Sequence, residues 1–202
     1  MNTKNSRSSD AMKKTIILLL TLSFVAATHA GVLDRLFSTS EPAEFKSADG
    51  GFSVRTPVPL TESLTTSNPV LSSDGKSVAL TVHQFGGSKA GLYYSVNYND
   101  YPEWVFTIGA RPAVVEGLLG SAGLGLTKLN NGKLLLETKI ALGPHPGREV
   151  LVEFQQQGQK AIAKARYYVV GRRLYQIMVL APSGKGGMSD IDSYLGSFQL
   201  LK

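Results

Sequence analysis

Residues 148–181 read REVLVEFQQQGQKAIAKARYYVVGRRLYQIMVLA, and this stretch decides the fold. Apolar and polar residues alternate along three successive runs, at 148–156, 160–170 and 173–181. Alternation with a period of two predicts strands that have one buried face and one more polar face. The connection Val170-Gly171-Arg172 is short enough for a tight hairpin. The stretch therefore predicts an antiparallel meander of three strands.

A fourth strand is predicted just before this meander, at residues 133–142. Its apolar residues, Leu134, Leu136, Ile140 and Leu142, fall on one face if the alternation is unbroken. In the 160–170 strand, alanines occupy positions 161, 163 and 165 of the apolar face. Such small side chains would let a helix pack closely against the sheet.

Shorter strands are predicted towards the N-terminus. Asp49-Gly50-Gly51 is a turn signal, and Phe52 to Arg55 alternates until Pro57. We expect a polar loop at residues 57–68, strands at 76–85 and 93–98, and a flexible hairpin loop from Gly86 to Gly91.

Two helices complete the pattern. Pro112 suits a first helical position, and the spacing predicts a helix to Ser121 that Gly120, Gly123 and Gly125 terminate. Ser189-Asp190 is predicted to cap a last short helix that runs through Leu195. The fold class is therefore α+β, with an antiparallel sheet of six to seven strands flanked by two to three helices.

Residues 1–30 carry the pattern of an export signal. Lys13 and Lys14 precede an uncharged apolar run, and Thr28-His29-Ala30 offers small residues for cleavage after Ala30. Either Met1 or Met12 could be the true start. We expect a lead-in at residues 31–44 and one domain at 45–202, in the periplasm or secreted.

The amino-acid composition excludes several classes of function for this protein. The chain contains no cysteine, so a thiol nucleophile, a cysteine-ligated metal and a lipoprotein anchor are excluded. Residues 31–202 hold 17 basic and 14 acidic side chains, a net charge of +3. That surface is ordinary for a soluble protein and unlike the basic field of a nucleic-acid-binding protein. No nucleic-acid partner, transmembrane segment or cofactor is expected.

The sequence offers no catalytic or metal-binding motif. After the export signal only His83 and His145 remain, whereas a zinc site usually needs three or four close ligands. His145 lies in Gly143-Pro144-His145-Pro146-Gly147, which predicts a rigid exposed turn. A Ser-His-Asp arrangement stays open, but no Gly-x-Ser-x-Gly elbow is present.

Two clusters are candidate binding surfaces. Arg166, Arg172 and Arg173, with Tyr168, surround a hairpin and could hold an anionic envelope lipid or an acidic partner; hairpin arginines are more often simply solvated. The second is a mixed-charge strand face, with members Glu137, Lys139, Glu149, Glu153, Lys164 and Arg166. It could line a groove, or it could be a set of cross-strand ion pairs, which we favour.

The order of these segments resembles the PsbP-like family over roughly residues 45–201. The stretches concerned are GFSVRTP at 51–57, GREVLVEF at 147–154, RYYVVGRRLYQI at 166–177 and YLGSFQL at 194–200. The resemblance implies an antiparallel sheet between helices and a non-catalytic, exported accessory role. It assigns no photosystem-binding or metal-binding residues to this chain.

The sequence thus predicts an exported, non-catalytic accessory or binding protein whose partner is an envelope protein or complex. One alternative is a small-ligand binder or hydrolase that uses a cleft near His83 and the Gly86–Gly91 loop. Another is a binder of anionic envelope lipid through the arginine hairpin. The oligomeric state is left open.

Overall fold

A computed structural model describes residues 41–202, except 68–69, 72–76, 108, 110, 130 and 157. The predicted export signal, its cleavage site at Ala30 and most of the lead-in lie outside the described residues. The strands are β1 (Ala43–Ser47), β2 (Phe52–Thr56), β3 (Thr61–Thr66), β4 (Val70–Leu71), β5 (Ser77–Val78), β6 (Thr81–Lys89), β7 (Leu92–Asp100), β8 (Lys133–Leu142), β9 (His145–Gln156), β10 (Gln159–Val170), β11 (Arg173–Pro182) and β12 (Gln199–Leu200). The helices are a short 3-10 helix (Glu103–Phe106), α1 (Arg111–Leu129) and α2 (Met188–Gly196).

Seven strands form the main sheet, in the order β3-β6-β7-β11-β10-β9-β8. Every neighbouring pair is antiparallel. The predicted meander is confirmed as β9, β10 and β11, and its last turn places Gly171 at a φ of 60°. A second sheet has the order β1-β2-β12, and β4 pairs with β5. The predicted α+β class is therefore correct.

The main sheet separates two apolar cores. On one face α1 packs over β9 and β10, and its residues Leu118, Leu119 and Leu126 share a core with the β10 alanines. On the other face β2 and α2 contribute Phe52, Val54, Ile191 and Leu195 to the second core. The α2 side is therefore built from segments that lie at opposite ends of the described chain.

Helix α1 is longer than predicted, because its glycines do not end it. The helix continues through Gly117, Gly120, Gly123 and Gly125 to Leu129. A Cβ atom on Gly123 would lie 3.2 Å from Val150 of β9. The absence of a side chain lets the helix approach the sheet, which offsets the low helix propensity of glycine. The alanines of β10 allow the same approach from the sheet side.

Strand β8 contradicts the single apolar face expected for it. Leu134 pairs with Val152, yet Leu136 pairs with the adjacent Leu151, so the register shifts at Leu135. A bulge of one residue sends the side chains that follow it to the opposite face. Leu134 and Leu136 therefore lie on different faces, and all three leucines are at least 40% exposed on this edge strand.

Several predicted loops are regular structure. Residues Gly86 to Lys89 belong to β6, and only Ala90 and Gly91 form the turn, with φ values of 53° and 82°. This is the two-residue connection that best fits the twist of an antiparallel hairpin. Part of the expected 57–68 loop is β3, and the 143–147 turn shortens because β9 begins at His145. Cross-strand pairing overrides local composition in each case.

The expected cap of the last helix is also wrong. Helix α2 begins after Gly187, which makes no side-chain capping bond, and Ser189 already lies inside the helix. Asp190 lies in the first turn, where a negative charge interacts favourably with the helix dipole.

Candidate functional site

A cleft of about 970 Å³ opens on the α2 side of the main sheet, and we call it the α2 cleft. Five segments meet there: the residue before β1, the end of β2, the β6–β7 hairpin, the connection between β11 and α2, and α2 with the residue after it. The lining residues are Pro42, Arg55, Pro57, Lys89, Ala90, Leu92, Tyr94, Lys185, Gly186, Asp190, Ser193, Tyr194, Gly196 and Ser197. The volume lies at the upper end of the range of about 300–1,000 Å³ that small-molecule sites occupy.

One wall of the cleft depends on a glycine. Gly186 has a φ of 76°, which side chains rarely allow, and a Cβ atom there would lie 2.6 Å from Leu92 Cδ2. The connection between β11 and α2 therefore packs directly on β7. A second support links β2 to the end of α2, since the Arg55 amide donates to Ser197 Oγ over 2.9 Å.

The rim of the α2 cleft is basic. Arg55, Lys89 and Lys185 line it, against the single carboxylate of Asp190. Among the described residues, neither Arg55 nor Lys185 forms a salt bridge. A smaller cavity of about 360 Å³ adjoins the cleft and shares Pro42, Arg55 and Ser197 with it. Arg55 therefore lies between the two cavities.

Two tyrosines and a leucine supply the apolar part of the lining. Tyr94 and Tyr194 meet edge to face, with ring centroids 5.1 Å apart, and Leu92 is buried beside them. The Tyr194 side chain is only 3% exposed, and its hydroxyl has no hydrogen-bond partner within the described part of the chain. Burial raises the pKa of Tyr194 far above its usual value, so the hydroxyl keeps its proton at neutral pH.

His83 lies outside the α2 cleft. Its Nδ1 is 3.0 Å from the Glu62 carboxylate, on the neighbouring strand β3. Its ring stacks on Tyr98, with centroids 4.4 Å apart and planes 6° apart. The predicted carboxylate neighbour is thus present, but His83 is not among the residues that line the cleft. The ring packs on the strand face, which disfavours a catalytic role.

Arg173 is held by acceptors of the protein itself. Its guanidinium donates Nε and Nη2 to the two carboxylate oxygens of Asp100, over 2.7 and 2.8 Å. Its Nη1 donates to the backbone carbonyls of Asp49 and Gly50, each over 2.9 Å. The guanidinium carbon also lies 4.3 Å from the Tyr98 ring centroid. Arg173 therefore fastens the β1–β2 turn to the main sheet.

Replacing Asp100 with asparagine is expected to destabilise the fold at pH 7 by about 1 kcal/mol, since solvent screens the half-exposed carboxylate. Hydrogen bonds from Arg173 lower the pKa of Asp100. A lowered folded-state pKa stabilises the fold above the unfolded-state value of about 3.9, and the stabilisation is lost as pH falls through the folded pKa. Urea unfolding at pH 7 and pH 3 should show the difference from wild type shrinking at the lower pH.

The exposed Glu41→Gln is a suitable control, because no ion pair of Glu41 is present among the described residues. It should behave as wild type at both pH values. An Asp100→Asn deficit that stayed constant between pH 7 and pH 3 would contradict the role of the ionised carboxylate.

Arg166 and Tyr168 are also engaged in the fold. Arg166 Nε donates to Glu149 Oε2 over 2.7 Å, and Lys164 bridges Glu149 to Asp192 of α2. The Tyr168 ring is 4% exposed and stacks parallel to Phe198. These contacts attach α2 to β9 and β10.

Arg172 alone of the three arginines is mainly exposed, 3.5 Å from the Glu103 carboxylate. Arg166 pairs with Ile177 in β11, whereas Arg173 pairs with Val170 at the hairpin end. The three guanidinium groups therefore do not converge on one site. Lipid binding by this hairpin stays a prediction that the geometry does not favour.

The mixed-charge residues divide between the two faces of the sheet. Glu137 accepts a hydrogen bond from Arg148 Nη1 over 2.6 Å, and Arg148 also pairs with Glu116 of α1. Glu149, Lys164 and Arg166 lie on the α2 face instead. Ion pairs, the favoured interpretation, are therefore present, but as two networks that each attach one helix.

Two further kinds of site are absent from the residues that the structure describes. No helix in the described part of the chain is long and apolar enough to cross a membrane. Within the same residues, no group of three or more histidine, aspartate or glutamate side chains is placed to hold a metal ion.

Comparison with known proteins assigns no family. No protein-family model matches the chain, and no characterised protein matches its sequence. Several solved structures are weakly similar, among them two bacterial proteins. One is a protein of unknown function from Pseudomonas aeruginosa, at 11% identity and a TM-score of 0.36 over 59% of this chain and 83% of that one. The other is the T6SS immunity protein TplEi of the same organism, complexed with a peptide, at 15% identity and a TM-score of 0.37 over 62% of this chain and 50% of its own. Similarities this low are no basis for a function.

Sequence reasoning missed the residues that build the α2 cleft. Arg55 and Ser197 touch although 142 residues separate them, and no local motif marks either residue. The nearest signal was the glycine-rich segment from Gly86 to Gly91, next to Lys89 and Ala90. That segment does adjoin a cleft, as the ligand-binding alternative supposed, but without His83.

Proposed function

We propose that this protein is a non-catalytic, exported accessory protein that binds a small molecule in the α2 cleft. The observation that carries the proposal is the cleft itself, about 970 Å³ in volume and lined by five segments of the chain. Large concave sites with apolar walls and a few polar groups are the usual places of ligand binding.

The chemistry of the lining favours binding over catalysis. The Ser193 hydroxyl, which lines the cleft, donates to the Ser189 carbonyl of its own helix over 2.8 Å. Asp190 is the one carboxylate of the lining, and no histidine belongs to it. The Ser193 proton is therefore directed at the helix backbone, whereas nucleophilic catalysis normally needs a general base that accepts this proton.

A cleft-blocking variant tests the proposal. Ser193 is exposed on α2, so Ser193→Trp should place an indole in the cleft with little effect on the melting temperature. Wild-type and variant protein, purified without denaturants from the source organism, would be extracted and compared by small-molecule mass spectrometry. We expect at least one compound near one equivalent on the wild type and a loss of tenfold or more on the variant.

The matched control is Ser63→Trp, on the exposed edge strand β3 and outside the cleft. It should retain the compound at the wild-type level. Equal retention by Ser193→Trp and wild type, or no retained compound on either, would contradict binding in the cleft.

Export rests on residues 12–30 and is tested on the same preparation. We expect the protein in the envelope fraction, with an intact mass that corresponds to a chain beginning at Gly31. A full-length chain in the cytoplasmic fraction would contradict export without bearing on the cleft. Membership of the PsbP-like family stays a prediction from the sequence pattern.

A further inference from the structure

The charges at the α2 cleft are unbalanced. Its lining includes the cations Arg55 and Lys185 and one carboxylate, that of Asp190. Arg55 and Lys185 come from segments 130 residues apart, and neither forms a salt bridge within the described residues. The cations that pack against the main sheet, Arg148, Lys164, Arg166 and Arg173, are by contrast paired with carboxylates. Cations that are left unpaired beside a cavity attract an anionic group.

The interior of the cleft has a different character. Leu92, Tyr94 and Tyr194 line it with buried apolar surface, and Pro42 and Pro57 add to that surface at the mouth. The side chains of Leu92, Tyr94 and Tyr194 are themselves almost fully buried, so the gain on binding comes from the hydrocarbon surface of the ligand, at roughly 25 cal/mol for each Å² that it removes from water. One bound molecule could therefore contact both the cationic rim and the apolar lining.

We propose that the α2 cleft binds a small amphipathic anion, a carboxylate or phosphate attached to an apolar chain or ring. Arg55 and Lys185 bind the anionic group, and Leu92, Tyr94 and Tyr194 bind the apolar part. The inference rests on the proposed binding function and adds the chemical class of the ligand. The same chemistry occurs in a free amphiphile and in the head region of a membrane lipid.

Isothermal titration calorimetry of the full chain with a set of matched probes tests the chemical class of the ligand. Decanoate and decyl phosphate are expected to bind to one saturable site. Decanol lacks the anion, decyltrimethylammonium reverses the charge and inorganic phosphate lacks the chain, so each should bind at least tenfold more weakly. Octanoate should bind about 15-fold more weakly than decanoate, because it is two methylenes shorter and each methylene contributes roughly fourfold. Raising the salt concentration should weaken decanoate binding.

Site-directed variants test which residues contact the bound ligand. Arg55→Gln and Lys185→Gln should each weaken decanoate binding about fivefold, and the double variant about 25-fold, without changing the affinity for decanol. Lys128→Gln, an exposed lysine of α1 on the other face of the sheet, is the matched control and should bind as wild type. Tyr194→Phe keeps the ring that lines the cleft, so it should bind decanoate as wild type while its melting temperature rises, since it removes an unsatisfied buried hydroxyl.

The outcomes of these experiments distinguish a free amphiphile from a membrane lipid, and an error in the ligand class from an error in the proposed binding function. Binding to free decanoate but not to anionic phospholipid vesicles identifies a free amphiphile, and binding to both identifies a lipid. The proposal that the ligand is an anion would be wrong if decanol and decanoate bound with equal affinity. It would also be wrong if Arg55→Gln and Lys185→Gln did not weaken decanoate binding. If no probe saturates below about 1 mM, the ligand class is wrong. Retention of a different compound that Ser193→Trp releases would then still support the binding function.

Discussion

Phe52→Ala is expected to destabilise the fold by about 3–5 kcal/mol, because it removes the central ring of the α2-side core. Phe52 is fully buried. Its ring centroid lies between 5.5 and 6.5 Å from those of five other aromatic side chains, which are Phe45, Phe85, Tyr98, Tyr175 and Phe198. These rings come from β1, β6, β7, β11 and the segment before β12. A cavity at Phe52 therefore weakens the contact between the two sheets.

Urea unfolding followed by circular dichroism measures this loss, with Leu124→Ala as the control. Leu124 is 56% exposed on α1, so its truncation should change the free energy of unfolding by less than about 0.5 kcal/mol. The α2 cleft should lose affinity in Phe52→Ala as well, since Arg55 lies on the same short strand. A loss below 1 kcal/mol for Phe52→Ala would mean that the second sheet contributes little to stability.

Gly147→Ala is expected to destabilise the fold by about 3 kcal/mol, although alanine is the smallest possible addition. Gly147 pairs with Ile140 on one side and Tyr168 on the other. A Cβ atom would lie 2.5 Å from the backbone oxygen of Tyr167 and would also overlap the Tyr168 ring. Because the backbone oxygen cannot move aside without breaking the β9–β10 pairing, the strain stays in the folded state.

Gly117→Ala is the matched control. Gly117 lies inside α1, where an added Cβ would meet nothing within 4 Å. Replacing a glycine inside a helix should therefore stabilise the fold by about 0.5–1 kcal/mol. Thermal unfolding should show shifts of opposite sign for the two variants. A stabilising effect of Gly147→Ala would show that β9 can move away from Tyr168.

The strands of the meander could be predicted because their pattern is local. Alternation in residues 148–181 specifies which side chains face α1, and the alanines of β10 do share a core with that helix. Some of the predictions that were wrong, such as the end of α1, concern residues whose partner is distant. Gly120 and Gly123 were expected to end α1, yet they lie against β9, which begins 22 residues after Gly123. Tertiary packing there outweighs helix propensity, since close approach buries the leucines of α1.

The candidate binding residues show the same contrast between what is close in sequence and what is close in space. Arg166, Arg172 and Arg173 were grouped because they are neighbours in sequence, but each finds its own acidic partner: Glu149, Glu103 and Asp100. The cations of the α2 cleft were overlooked because nothing near Arg55 or Lys185 in the sequence marks a site. A cluster of charges in sequence is thus a weak guide to a cluster in space.

The amino-acid sequence by itself determined the α+β class, the antiparallel meander, the absence of cysteine chemistry and the modest net charge. These properties depend on composition and on periodicities of two residues, which neighbouring residues establish. Only the tertiary structure decided that the ends of β2 and α2 meet, that Gly186 packs on Leu92 and that a cleft remains between them. A cavity is the space that distant segments leave when they pack, so its position depends on how the two sheets and α2 pack together rather than on any one stretch of sequence.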